Sequence, residues 1–367
     1  MRVLVWQWGR RGAGPRFAAE LARAFSAIPG TEALLSLSST AELLAAPDRP
    51  PCDLKMRTYA SLGGFAARVA STPLIVPGLA RWLRSQRVDV ALCAMPAPMD
   101  LAMGAALHWA GVPFAVVVHD ADAHPGDAFP MQILLQRWLL QGSGGVFALS
   151  THVADRLRQQ RLTQGKPLLM AALPPFVYGP APPQAGAHGG KLRLLSFGRL
   201  LPYKGLDLLA DSLALLGPRA DLEVRVVGSG PESPELDRLR ALPGVTVENR
   251  WVPEGEVGAL LAWSDALVLS HREASQSGVA ATAIAARRWL VATRVGGLTE
   301  QLGNEPMALL CDPAPESIAG ALRTLLERAA DPPPCTENLQ RAWAGVAGSM
   351  VDGLRTLAPT LARERAA

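Results

Sequence analysis

Two short stretches of this chain carry residue types and spacings suited to holding a doubly charged anion. In LRLLSFGRLLPYKGLDLL, residues 192–209, an apolar run ends at Gly198 and Arg199, bends through Pro202 and delivers Lys204 and Gly205 to a helix start. In SHREASQSGVAATAIAA, residues 270–286, a loop carrying Glu273 runs through Ser275, Gln276, Ser277, Gly278 and Val279 into a second helix. An arginine meets phosphate oxygens with a two-pronged fork, a lysine as a point charge. Small residues at helix N-termini bring main-chain amides to the same anion, and Gly198 and Gly205 permit close backbone approach. A diphosphate suits this combination. Phosphates would repel Glu273, so its useful place is against sugar hydroxyls, which donate to a carboxylate. Plain surface charge, a dipole-favoured carboxylate and a serine helix cap are the competing accounts of the same residues.

Other polar residues follow apolar runs. His119 ends PFAVVVH and opens the polar run HDADAHPGD. Its strand-end position balances a chemical role against a structural one. His124 and Asp127, in the same run, lack a usual metal-ligand spacing. Gly12 and Gly14 in GRRGAGPRF give a G-x-G fragment, with Phe17 where a third glycine would complete a dinucleotide fingerprint. That loop would let an acceptor or a phosphate come close. Cys52, Cys93, Cys311 and Cys335 are scattered, which indicates neither a zinc site nor a disulfide framework.

The elements that must position these residues alternate along the whole chain. In the first half, strands are expected at 2–6, 88–94, 113–119 and 145–150, and helices at 15–28, 77–86, 100–111, around 129–142 and 151–161. A Pro- and Gly-rich segment, 173–191, reads as a linker. Strands at 192–197, 222–228, 244–248, 266–269 and 289–293 then alternate with helices at 205–216, 233–241, 255–263, 279–287 and 315–329. Continuous apolar strands separated by helices imply parallel βαβ units. Two doubly wound α/β domains in tandem follow. Ligands of such sheets sit beyond the carboxyl ends of the strands, where the residues above lie.

The chain has 367 residues, 49 % of them apolar, with no apolar run long enough to span a bilayer. The N-terminus lacks a secretory pattern, and a soluble cytoplasmic protein is expected. Residues 1–175 hold 17 Lys+Arg against 11 Asp+Glu, and residues 176–367 hold 19 against 21, so the basic excess lies in the first half. There Arg57, Arg68, Arg81, Arg84 and Arg87 are interleaved with Phe65, Val69, Leu74, Ile75, Leu79, Trp82 and Leu83. That composition suits either an ordinary solvated face or contact with anionic lipid head groups, peripheral at the inner face of a membrane. Few aromatics and no binding motif argue against nucleic acid.

The motifs FGRLLPYKG (197–205), VVGSGPE (226–232), RWVPEGEVGALLAWSDALVLS (250–270), EASQSGV (273–279) and VATRVGGLTEQL (291–302) occur in an order and spacing that resemble the retaining group-1 (family 4) glycosyltransferases. The resemblance is strong over residues 192–312 and looser before them. It implies the GT-B architecture: two Rossmann-like doubly wound parallel-sheet domains facing a central cleft. It also implies that Arg199 and Lys204 neutralise a donor diphosphate, that Glu273 contacts the donor sugar, and that amides of Ser275–Val279 hold the phosphates. His119 would reach the sugar from the opposite domain. Gly198 and Gly228 would line the donor site, and the segment around Asn249 and Val252 would lie near the nucleobase. Where the family often has a second glutamate for the ribose, this chain has Thr282, one insertion past the usual spacing.

The expectation is thus an acceptor-binding domain over 1–175 and a donor-binding domain over 176–345, with a helical tail, about 346–367, that can pack back onto the first. The activity expected is retaining, metal-independent transfer of a sugar from a UDP- or GDP-sugar to a saccharide or lipid-linked saccharide in cell-surface polysaccharide synthesis. The nucleotide sugar is then a co-substrate, and no cofactor or metal is expected. A sugar-nucleotide epimerase on the same architecture is the alternative, as is a non-catalytic sugar-nucleotide-binding protein, the latter motivated by Thr282.

Overall fold

The computed structural model describes residues 1–123, 126, 131–179, 183, 186, 189–328 and 338–364. Two features noted above, the His124/Asp127 pair and Cys335, lie outside the described residues. The chain divides into two compact units. Among the described residues, unit 1 holds 1–123, 131–172 and 340–364, and unit 2 holds 126 and those within 173–339. The boundaries expected at 175/176 and 345/346 therefore fall at 172/173 and 339/340.

Unit 1 contains strands β1 (Arg2–Gln7), β2 (Glu32–Ser38), β3 (Leu54–Met56), β4 (Val90–Cys93), β5 (Phe114–Val118), β6 (Gly145–Ala148) and β7 (Leu168–Met170). Its helices are α1 (Ala13–Ser26), α2 (Leu62–Ala70), α3 (Thr72–Ser85), α4 (Asp100–Ala110), α5 (Gln132–Gly142) and α6 (Thr151–Gln159). The sheet runs β3-β2-β1-β4-β5-β6-β7, all parallel, with Val5 beside Leu35 on one side and Leu92 on the other. Every residue of β4, β5 and β6 is buried, as a parallel sheet covered on both faces requires.

Unit 2 contains β8 (Leu192–Phe197), α7 (Leu206–Leu216), β9 (Leu222–Gly228), α8 (Pro234–Arg240), β10 (Val245–Asn249), α9 (Glu254–Trp263) and β11 (Ala266–Leu269). It continues through α10 (Gly278–Ala285), β12 (Trp289–Thr293), α11 (Gly296–Leu302), β13 (Ala308–Cys311) and α12 (Pro315–Arg328). The sheet order is β10-β9-β8-β11-β12-β13, again all parallel. Its two faces carry separate cores. One gathers Leu194, Leu209, Val226, Leu236 and Leu322, and the other Leu195, Leu261, Leu267, Ala280, Leu290 and Leu298. That is the doubly wound arrangement, with each core supplied by alternate residues of the same strands.

A last helix, α13 (Leu339–Glu364), closes the chain. Trp343, Ala347, Met350, Val351, Leu354 and Leu357 are buried at helical spacing, one apolar stripe. The stripe lies within unit 1, where Trp343 meets Phe17 with ring centroids 5.9 Å apart. At Gly353 a side-chain carbon would come within 2.5 Å of the Leu169 side chain and 3.0 Å of the Phe147 ring, so the helix packs closely over the sheet there.

In both units the strand order reverses between its first and fourth strands, β1/β4 and β8/β11. Loops leaving such a pair wind to opposite faces and leave a crevice at the carboxyl ends of the strands. The loops after β8 and β11 are those singled out by sequence.

Candidate active site

The unit 2 site is built where those two loops meet. After β8 the chain makes a short 3₁₀ turn, Pro202–Lys204, and enters α7 through Gly205 in the left-handed region, φ 65°. A side-chain carbon at Gly205 would sit 2.0 Å from the Ser270 carbonyl oxygen, so only glycine lets the turn lie against the β11 loop. Two bonds join the loops there. The Ser270 hydroxyl donates to the Lys204 carbonyl at 3.0 Å, and the Arg272 amide donates to the Tyr203 carbonyl at 2.8 Å. A second close approach underlies the first: a carbon on Gly228 would be 1.6 Å from the Gly198 carbonyl oxygen, so the β8 and β9 loops are also in main-chain contact.

Tyr203 gathers the cations. Its ring is 5 % exposed and lies under both, with the Arg199 guanidinium 5.4 Å and the Lys204 ammonium 5.0 Å from its centroid. Arg199 also donates to the Tyr203 hydroxyl at 2.7 Å. Lys204 Nζ is 2.7 Å from Nε2 of His271, a buried residue whose main-chain carbonyl accepts from Thr293 Oγ1 at 2.6 Å. An ammonium only donates, so His271 accepts through Nε2 and carries its proton on Nδ1. Both cations thus stand against one aromatic ring at the end of β8, each such contact contributing about 0.5–1 kcal/mol. The sequence reading used neither Tyr203 nor His271. The only signal for either was a place in the PYKG and SHREA loops.

Glu273 follows His271 by two residues and is exposed, while the intervening Arg272 pairs with Asp207 of α7. The pairing turns Arg272 toward α7 and holds the Asp207 carboxyl below its ordinary range, although partial burial opposes the shift. Ser275 and Ser277 are buried. Ser277 caps α10, its hydroxyl accepting from the Ala280 amide at 3.2 Å. Its own amide donates to Gln301 Oε1 at 2.8 Å, so of the amides expected to serve an anion this one is engaged by α11. Val279 faces Gly198, which brings the first turn of α10 against the end of β8.

Three other expected residues take different places. Thr282 is 1 % exposed and donates its hydroxyl to the Val279 carbonyl at 2.9 Å, so it closes its own helix turn rather than facing outward. The Val252 side chain belongs to the core beside α9, which leaves its main chain as the part a base could meet. Asn249 accepts from the Gly230 amide at 3.1 Å and donates to Glu232 at 2.7 Å, bracing the loop after β9.

In unit 1, His119 is buried at the end of β5. Its Nε2 donates to the Ala94 carbonyl at 2.9 Å, and its ring stands edge-on to Phe17 at 5.1 Å. Burial pushes its pKa down, so the ring is neutral at pH 7 and brackets β5, the loop after β4, and α1. An exposed sugar-contacting imidazole is not what this arrangement presents. Gly12 begins α1 with φ 79°, and a side-chain carbon on Gly14 would lie 2.9 Å from Gln7 and 3.0 Å from Met95. Gly14 thus packs against side chains from the end of β1 and the loop after β4, while Gly12 has open space around it. The arginines beside them are committed, Arg11 to Glu42 and Arg16 to Asp48. Beneath the β4 loop lies Asp100, 1 % exposed and unnoticed in the sequence. It accepts from the Ala97 amide at 2.7 Å and from the Cys93 thiol at 3.3 Å, and burial raises its pKa to about 7. No group of three or more potential ligands stands close enough to hold a metal among the described residues.

Comparison with known proteins agrees with the geometry. Residues 191–328 match the family model described as glycosyl transferases group 1, and residues 16–167 match that of glycosyltransferase family 4. Together the two models account for both units, and the chain belongs to the group-1 glycosyltransferases of GT-B fold. It is 34 % identical over 141 residues to D-inositol 3-phosphate glycosyltransferase of Jonesia denitrificans, a match spanning 35 % of this chain and 33 % of that protein. It is 25 % identical over 264 residues to 2-deoxystreptamine glucosyltransferase of Streptomyces kanamyceticus, spanning 64 % and 66 % of the two chains. The alignments thus reach from about a third to just under two thirds of these relatives' own length. Among solved structures, Anabaena HepE in complex with UDP and glucose superposes with a TM-score of 0.63 at 16 % identity, covering 100 % of this chain and 99 % of that one.

The buried Asp100 carboxyl yields a prediction. Its pKa is raised from 3.8 to about 7 on folding, so its contribution to stability is fully present below pH 3.8 and lost as pH rises through 7. Asp100→Asn should therefore unfold at a temperature close to wild type near pH 4 and progressively above it toward pH 7. Melting curves that stay parallel over that range would contradict the assignment.

Proposed function

We propose that this protein transfers a sugar from a nucleoside diphosphate sugar, UDP- or GDP-linked, to a hydroxyl of a saccharide or lipid-linked saccharide acceptor. The observation that carries the reading is the gathering of Arg199 and Lys204 on Tyr203 beside the capped N-terminus of α10. Departure of the nucleotide breaks the bond between the anomeric carbon and the diphosphate, and the electron pair goes to the phosphate oxygen. Negative charge grows where the guanidinium, the ammonium and the first-turn amides of α10 converge. Lys204 must exchange one hydrogen bond, from His271 to phosphate. Glu273, one turn of loop away, would accept from the sugar hydroxyls and hold the ring while the anomeric carbon becomes cationic.

The acceptor hydroxyl forms the new bond to that carbon, and its proton passes to the departing phosphate oxygen. Attack from the face the diphosphate leaves gives retention of configuration. On this account the charge of the leaving group is met by side chains and amides, and the reaction proceeds without a metal. His119 enters as the bracket of the unit 1 loops rather than as a group on the sugar. The acceptor is assigned to unit 1, through the loop of Gly12 and Gly14.

A lipid-linked acceptor is supported by the surface of α2 and α3. Leu62 is 80 % exposed, Leu74 84 % and Val69 49 %. Between Asp53 and Asp89 the chain has no acidic residue, but it has Lys55, Arg57, Arg68, Arg81, Arg84 and Arg87. No single helix among the described residues is long and apolar enough to cross a membrane, and α2 and α3 are bent by 68° where they meet. Such a pair is suited to lying in the head-group region of an anionic membrane. Burying the three apolar side chains there is worth roughly 1.5–3 kcal/mol each, and each nearby cation adds about 1 kcal/mol. The two contributions are comparable, so salt alone should weaken docking without ending it.

Two experiments test these assignments. Incubation with UDP- and GDP-sugars should release nucleotide only when an acceptor is present, and Lys204→Ala or Glu273→Ala should lower the rate by about 10²–10³-fold with the fold retained. Full activity in either variant would refute its role, and conversion of the sugar nucleotide with no acceptor would favour an epimerase. In sedimentation with phosphatidylglycerol-containing vesicles, wild type should pellet at low salt and the Leu62→Glu, Leu74→Glu double variant should remain in solution. Wild type that stays with the supernatant would remove the membrane assignment.

A further inference from the structure

The loop between Glu273 and α10 is shaped by α11. Gln301, half-buried on α11, accepts the Ser277 amide through Oε1 at 2.8 Å and donates from Nε2 to the Ser277 carbonyl at 3.0 Å. A carboxamide offers one acceptor and one donor side by side, as a peptide unit does. Gln301 therefore pairs with both main-chain groups of one residue, as a neighbouring strand would. Four residues earlier on α11, the Gly297 amide donates to the Ala274 carbonyl at 2.9 Å. Together these bonds tie both ends of the segment Ala274–Ser277, which has Glu273 on one side and the first turn of α10 on the other.

The consequence lies in which amides can meet an anion. The Ser277 amide is given to Gln301, and the Ala280 amide to the Ser277 hydroxyl. The Ser277 carbonyl accepts the first intrahelical bond, from Ala281 at 3.1 Å, as well as the Gln301 bond. Of the donors that begin α10, those of Gly278 and Val279 remain to point out of the helix end. Both residues are half-buried, and Val279 faces Gly198.

We propose that Gln301 is a positioning residue for the donor diphosphate. It consumes the Ser277 amide and fixes the loop so that the Gly278 and Val279 amides, with Glu273 at a set distance, face the donor. The inference rests on the functional reading above and adds a residue to it.

The test compares Gln301→Leu with Gln301→Glu. Leucine removes both bonds. Its variant should bind UDP, and show a KM for the donor sugar nucleotide, about tenfold worse than wild type, with the KM for acceptor unchanged. Glutamate should be as poor at neutral pH, because its ionised carboxylate cannot donate to the Ser277 carbonyl. Once protonated, it has the donor and acceptor of the original carboxamide. The ratio of its UDP affinity to that of wild type should then recover as pH falls, while the leucine ratio stays flat. A loss caused only by a loosened fold would show no such recovery. Equal UDP affinity in wild type and both variants, or a glutamate ratio that does not move with pH, would overturn the proposal. Hydrogen exchange of the 274–279 amides without ligand separates the two readings. Exchange about tenfold faster in the leucine variant supports the clamp even if some other anion is the donor. Unchanged exchange overturns the clamp even if UDP binds.

Discussion

The site depends on main-chain contact between two loops that leave β8 and β11 on opposite faces of the unit 2 sheet. Arg199, Lys204 and Glu273 lie in loops that lead to helices on opposite faces of the sheet, so contact between the loops is what relates them. What joins the loops is the Ser270–Lys204 and Arg272–Tyr203 pair of hydrogen bonds, each worth only about 1 kcal/mol net. Those bonds form because Gly205 has no side-chain carbon, which would otherwise stand 2.0 Å from the Ser270 carbonyl oxygen. A small residue thereby sets the position of a charged one. The same logic operates one strand over, where Gly228 admits the Gly198 carbonyl and keeps the β8 and β9 loops together.

The gathered cations account for the kind of ligand. Arg199 and Lys204 both stand against the ring of one buried tyrosine, and the first turn of α10 adds the positive end of a helix dipole. Like charges held this close oppose one another until an anion enters. A diphosphate would relieve that opposition, and it would do so most fully when its charge is greatest, as the sugar departs. The family's second glutamate has no counterpart here: Thr282 is closed into the core with its hydroxyl spent on its own helix.

Much of this was legible in the sequence, and the exceptions have physical causes. Long apolar runs marked β1, β4, β5, β6 and five strands of unit 2, because a parallel sheet buried on both faces leaves no polar alternation. β2 escaped notice because its inward positions include Ser36 and Ser38. Both are buried and satisfied, by Trp8 Nε1 at 3.0 Å and Thr58 Oγ1 at 2.7 Å, so the strand does not read as apolar. β3 and β7 are edge strands of three residues each, too short to show a period, and β13 is an edge strand with only Cys311 buried. The cations and Glu273 were visible because their loops follow recognisable strands. Tyr203, His271, Asp100 and Gln301 were not, since each acts through a partner that only the fold brings near. Gln301, for example, meets a residue 24 positions away. His119 is a different case: its strand-end position balanced a chemical role against a structural one, and in the folded unit it is buried against Phe17 and Ala94.

The most direct test of the central claim is a crystal structure of the protein with UDP bound. The account predicts that the distal phosphate contacts the Lys204 ammonium, the Arg199 guanidinium and the Gly278 and Val279 amides together, with Lys204 released from His271. A diphosphate bound away from these groups, or one held by a metal with Lys204 still on His271, would contradict it.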